Sequence, residues 1–312
     1  MKKVACIGSV TTDILLKPVD GMPAPGVLQS VNGMEMHVGG CASNAAIDLA
    51  KLGIPSALLC RVGNDIFGDF VKTTCEKAGV DIRGVVSNEA SATTTSVVCI
   101  SSTGERSFLY YPGSAADFTK SDINSAVAES CDIIFVAGAF LNSCFDGTPC
   151  AEFLKDAREK GNFTVMDTAW DFSGRWLPVI AGVLPHLDLF MPSYDEAKMI
   201  AGLDEPEEIA DFFFDRGVKT VIIKLGKHGA LICENRDKKY AVPSYIIDNP
   251  ADTTGAGDSF CAGFLAGLSM GWNYEKSGKF ANAVGAHCVM AVGASTGIKP
   301  VEEILAFMEK RL

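Results

Sequence analysis

Asp252, Thr253, Thr254, Gly255, Ala256, Gly257 and Asp258 run together, and an apolar helical pattern starts at once behind them with Ser259, Phe260, Cys261 and Ala262. Glycine and alanine leave the peptide N–H groups of Gly255, Ala256 and Gly257 uncovered where that helix begins. The first N–H groups of a helix have no partner within it and carry partial positive charge. Such a turn suits an anion, for example a phosphoryl group in transfer. An aspartate there has a further use. The helix dipole favours Asp258 as the carboxylate, and a carboxylate beside a phosphoryl site accepts the proton of an attacking hydroxyl. A plain Asp-bearing helix behind a glycine turn has the same letters. A dinucleotide-binding turn does not fit, because Tyr274 to Val292 reads as a second helix and leaves no strand for the required unit.

A second constellation lies some 210 positions earlier, at Gly39-Gly40-Cys41-Ala42-Ser43-Asn44. Paired glycines let a substrate approach the backbone, and Asn44 both donates and accepts toward a hydroxyl. A tight turn into a helix reads the same way. The Asp252–Asp258 string resembles the C-terminal signature of the ribokinase-like (PfkB) carbohydrate kinases, and Gly39–Asn44 resembles their N-terminal one, in the family's order. The resemblance implies ATP as donor, with Asp258 as base and the amides of Gly255, Ala256 and Gly257 as anion hole. It implies Asp13, Gly39, Gly40, Asn44 and Asp258 against the sugar. Pro192-Ser193-Tyr194-Asp195-Glu196 falls where the family has Asn-x-x-Glu, which orders Mg²⁺ through water. Glu196 is present, but Ser193 replaces the asparagine, and Ser193 also reads as a helix cap. Lys224-Leu225-Gly226-Lys227-His228-Gly229 resembles the nucleotide loop, with Lys224, Gly226 and Gly229 as its contacts, and Asn282 matches a position near the adenine. Backbone carbonyls of Asp252, Thr254, Ala291 and Gly293 match a K⁺ site.

The acceptor is less legible. Tyr111 to Ala116 sits where many relatives have Gly-Ala-Asn, and Ala115 replaces the asparagine. A small sugar, a pentose or hexose of the ribokinase or fructokinase type, is the first expectation. A nucleoside acceptor stays open, with Phe108, Tyr110 and Tyr111 as a stacking wall, and so does a catalytically idle binder of sugar or nucleotide. Arg106, Trp170 and Arg175 are further candidates for lining the pocket.

Composition narrows the partners. The chain has 312 residues and a net charge of −11, without a lysine or arginine run, which argues against nucleic acid and anionic membrane. No stretch nears 18 uninterrupted apolar residues, so no membrane span is expected. Eleven cysteines without a Cys-x-x-Cys pair read as buried thiols of a reduced, cytoplasmic protein, among them Cys6, Cys60, Cys99 and Cys288. The four histidines have no metal-ligand spacing. Met1 to Gly8 reads as a first strand and not as a signal peptide.

The elements that must position these residues alternate. Strands are expected at Val4–Ile7, Ser56–Arg61, Ile133–Ala137, Phe163–Asp167, Leu187–Met191 and Thr220–Lys224. Helices are expected at Cys41–Leu52, Phe67–Ala78, Glu152–Lys160, Tyr194–Ala201 and Glu207–Arg216, with a tail almost wholly helical from Gly257. That pattern predicts an α/β domain over 1–312, a Rossmann-like, mostly parallel sheet with helices on both faces. Two strand-rich excursions, Thr12–Val38 and Thr93–Tyr111, have no helix to cover them. They are expected to pair as a small β lid inserted in the core, and the resemblance implies that such lids join two subunits into a homodimer.

Overall fold

The computed structural model describes residues 1–310. β1 (Val4–Gly8) leads straight into β2 (Thr11–Lys17) and β3 (Gly33–Gly39), followed by α1 (Cys41–Lys51), β4 (Ser56–Gly63), α2 (Ile66–Lys77) and β5 (Asp81–Asn88). The hairpin β6 (Thr95–Ile100) and β7 (Arg106–Tyr111) comes next, then short helices α3 (Gly113–Ala116) and α4 (Ser125–Glu129). Alternation resumes with β8 (Ile133–Ala139), α5 (Thr148–Glu159), β9 (Phe163–Thr168), α6 (Leu177–Ile180), β10 (Leu189–Phe190), α7 (Tyr194–Ala201) and α8 (Pro206–Phe214). β11 (Thr220–Lys224), β12 (Ala230–Asn235) and β13 (Lys238–Val242) complete the strands, and α9 (Ala256–Ser269), α10 (Tyr274–Cys288) and α11 (Val301–Glu309) close the chain.

Nine strands form one sheet in the order β13-β12-β11-β10-β9-β8-β1-β4-β5, and four form a second in the order β3-β2-β6-β7. From β5 across to β11 every pairing is parallel, and only the β12–β13 edge is antiparallel. Residues within a strand alternate between two cores. Val4, Cys6, Ile133 and Phe135 pack beneath α1, α9 and α10, while Ala5, Ile7, Ile134 and Val136 pack beneath α5 and α8. Strand order reverses about β1, whose neighbours β4 and β8 lead to opposite edges. Ligands of open parallel sheets bind beyond the strands' carboxyl ends at such a reversal.

The small sheet is the expected lid, built from the two excursions. Several details differ from the sequence expectation. β10 has two residues where Leu187–Met191 was expected, although Lys224 N–H continues the pairing to the Pro192 carbonyl (3.0 Å). α5 begins at Thr148, four residues early, with proline in its first turn. α10 ends at Cys288, not Val292, and residues 289–300 form a non-helical loop. β5, β12 and β13 were not anticipated. All eleven cysteines are free, but Cys99 is only half-buried and Cys144 is exposed. No helix among the described residues is long and apolar enough to cross a membrane.

Candidate active site

Asp258 lies in the first turn of α9 at the strands' carboxyl end. Gly255 caps this helix in the left-handed region (φ 78°), and no side chain caps it. A Cβ on Gly255 would sit 2.5 Å from Ala294 Cβ, so glycine is required there for space as well as dihedral. The helix starts one residue before Gly257, and the Ala256 amide makes a long bond to the Thr253 carbonyl (3.3 Å). Around Gly257 the setting is open. A Cβ there would meet only the end of Lys224, with Nζ 3.4 Å away.

The carboxylate of Asp258 accepts from Asn44 Nδ2 at 2.8 Å, which joins the two sequence constellations across 214 positions. Asn44 is buried on α1, and its Oδ1 has no protein partner. Burial raises the Asp258 pKa above the usual carboxylate range, while the Asn44 bond, the nearby Lys224 charge and the Cys41 thiol act in the opposite direction.

Asp13 projects from β2 against α1's entry. A Cβ on Gly39 would overlap its carboxylate, and one on Gly40 would lie 2.6 Å from the Ser9 carbonyl oxygen and Val10 Cα. The glycine pair is therefore needed first to let Asp13 and the β1–β2 connection pack against it. Burial pushes the Asp13 pKa up to about 6, opposed by His37, its neighbour across β3.

Lys224 ends β11 buried, and Nζ donates to both oxygens of Asp167 at 2.7 Å. Burial by itself lowers the Lys224 pKa. The contact with Asp167 outweighs it and keeps the ammonium charged, its pKa above the ordinary lysine value. Asp167, at the end of β9, went unnoticed in the sequence. Beside it, Thr168 Oγ1 donates to Glu196 Oε2 (2.9 Å). Glu196 also closes a capping box with Ser193: Ser193 N–H donates to Oε2 (3.0 Å) and Glu196 N–H to Ser193 Oγ (3.4 Å). The cap reading of Ser193 thus holds, and it leaves Glu196 electrostatically coupled to Lys224, Asp167 and Asp258.

A profile of the pfkB family carbohydrate kinases matches residues 1–301. The chain belongs to that family. A protein of Pyrococcus horikoshii provisionally described as a sugar kinase is 31% identical over 326 residues, covering 99% of this chain and 96% of that one. The crystal structure of ribokinase from Thermotoga maritima is similar with a TM-score of 0.83 at 27% identity, covering 99% of this chain and all of that one. A structure from E. coli, provisionally ribokinase II and in complex with ATP and Mg²⁺, gives a TM-score of 0.86 at 24% identity, with 99% and 100% covered. The chain is a carbohydrate kinase, an ATP-dependent phosphotransferase with the ribokinase fold.

In this kinase the remaining sequence candidates divide. Gly226 has positive φ and open space above it. Gly229 faces inward, where a Cβ would overlap the Val242 carbonyl, so it lets the loop pack on β13. Asn282 is buried, and its Nδ2 donates to the carbonyls of Val242 and Pro243 (both 3.1 Å), shaping that wall from behind. Trp170 packs edge-on against Trp176 (centroids 4.9 Å apart), and Arg175 donates to Ser173 Oγ.

Of the four carbonyls expected to hold a cation, those of Thr254 and Gly293 each accept a long bond from within the protein, and the Asp252 side chain is engaged beside them. Asp252 Oδ1 accepts from Thr254 N–H (2.8 Å) and from Arg106 Nη1 (2.7 Å), while Oδ2 accepts from Gly293 N–H (3.0 Å). The Thr254 carbonyl receives the Cys288 thiol, and the Gly293 carbonyl the Thr296 amide (both 3.4 Å). Among the described residues no three His, Cys, Asp or Glu side chains converge as a metal cage. Glu196 stands as a single carboxylate near Lys224 and Asp258, which fits an Mg²⁺ whose other ligands are phosphate and water.

Proposed function

We propose that this kinase transfers the γ-phosphoryl group of ATP to a hydroxymethyl group of a small sugar, a pentose or hexose. The observation that carries the reading is the Asn44–Asp258 contact at the uncapped start of α9. It brings an amide from α1 onto a carboxylate in the first turn of α9, beside a helix start that no side chain caps. The sugar hydroxyl gives its proton to Asp258, its oxygen attacks the γ-phosphorus, and the bond to the ADP leaving oxygen breaks. The 255–257 amides and the Lys224 ammonium face the charge on the phosphoryl oxygens. Mg²⁺, bound with the nucleotide, supplies charge neutralisation on its phosphates, and Glu196 is the carboxylate that would hold it through water.

Asp13 and the unpartnered Asn44 Oδ1 accept from sugar hydroxyls. Both are polar contacts that give a nucleobase nothing to stack on. The nucleotide lies along Lys224 to Gly229, over the wall at Val242–Pro243 that Asn282 supports. The protein works in the cytoplasm, its thiols reduced. A second copy covers the lid. β7 is an edge strand whose Phe108, Leu109, Tyr110 and Tyr111 are all exposed, and Met34 and Met36 stand open on the opposite edge. ADP release measured over ribose, fructose, other ketoses, sugar acids, adenosine, inosine and cytidine tests the acceptor. Turnover of at least one free sugar is expected, and turnover of nucleosides alone would overturn the reading.

A further inference from the structure

We infer that Arg106 is a positioning residue for phosphoryl transfer: reaching from the lid, its guanidinium supplies positive charge to the Asp252 carboxylate and Thr254 hydroxyl, in the turn where the family resemblance implies a bound K⁺. Arg106 opens β7, the lid's edge strand, yet Nη1 lies 2.7 Å from both Asp252 Oδ1 and Thr254 Oγ1. Asp252 has its side chain 2% exposed, and a carboxylate so buried needs a cation or a full set of donors. Two backbone amides, the Thr254 hydroxyl and Arg106 surround it. The Thr254 and Gly293 carbonyls each accept a bond from within the protein, and the guanidinium lies on the side chains of the same turn whose carbonyls were expected to hold K⁺.

The position of this contact gives it a consequence for turnover, an argument that rests on Asp258 marking the transfer site. Thr254 immediately precedes Gly255, whose left-handed backbone aims the amides that follow. Asp252 also ties that turn to the 291–295 loop through Gly293, and the lid's other edge meets the same loop: a Cβ on Gly293 would lie 3.1 Å from His37 Nδ1. A lid that is down therefore holds the anion hole in shape, and a lid that is up removes the charge from Asp252. A soluble K⁺ stabilises the turn whether or not the site is closed. A cation carried by the lid does so only on closure, which restrains transfer to water when no sugar is enclosed.

The test combines kinetics with a measurement that needs no turnover. Wild-type turnover should stay flat when K⁺ replaces tetramethylammonium at constant ionic strength. Arg106→Ala should lower kcat about 10- to 100-fold with a smaller change in sugar KM. Arg106→Lys should recover part of the loss, and added guanidinium or K⁺ should raise turnover of the alanine variant only. In ligand-free protein, amide hydrogen exchange over 11–17 and 106–111 should speed up in Arg106→Ala. That reports the latch even if Asp258 proves not to be the base. A wild type that requires K⁺, or an alanine variant with unchanged kcat and unchanged lid exchange, overturns the inference.

Discussion

At the scale of single residues, the chemistry turns on the buried carboxyl of Asp258 and the groups that favour its charged form. Burial raises its pKa, and the Asn44 amide is the leading influence holding it down. A general base works as the carboxylate, so activity is present above its pKa and lost as pH falls through it. Asn44→Leu removes the stabilising bond and raises that pKa further. The acidic limb of the kcat/KM profile should therefore move to higher pH, and an unmoved limb would detach Asn44 from the base. The Asp258 turn was legible in the sequence because seven consecutive residues carry it. Asp167 and the Arg106 contact with Asp252 were not. Asp167 ends an ordinary apolar strand, and Arg106 opens a lid strand with nothing nearby in sequence to mark its partner. Both depend on pairings 57 and 146 residues away.

At the scale of elements, the start of α9 separates two uses of glycine. Gly255 is demanded by backbone and space, with φ 78° and Ala294 in the way of any Cβ. Gly257 is helical, and its missing Cβ leaves room in front of Lys224. Gly257→Ala should thus keep or slightly raise the melting temperature, since alanine favours helix by up to about 1 kcal/mol. It should still depress turnover by crowding the phosphoryl position. Calorimetric unfolding and ADP release on the same sample check both halves, and full activity in the stable variant would remove Gly257 from the site. The alternating strands were legible as short apolar runs and the helices as amphipathic ones, many of them ended by glycine. β5 was missed because Gly84 interrupts it, and that glycine is needed where a Cβ would press on the Leu58 carbonyl at 2.6 Å. The β12–β13 hairpin was missed because polar and charged residues run from Glu234 to Lys239 across its Arg236–Asp237 turn.

At the scale of the whole molecule, the fold sets a nine-stranded platform under a four-stranded lid and draws Asp13, Asn44, Lys224 and Asp258 to one end of it. The apolar row on β7 predicts a dimer in light scattering, about twice the 33.0 kDa of one chain. Phe108→Glu with Leu109→Glu should give monomers, and a monomeric wild type at micromolar concentration would contradict the lid interface. Asp258 as the base is tested by steady-state ADP release from Asp258→Asn with a saturating accepted sugar. A loss of at least about 10²-fold in kcat is expected, with unfolding temperature and ATP binding retained. Turnover like the wild type's in that folded variant would contradict it.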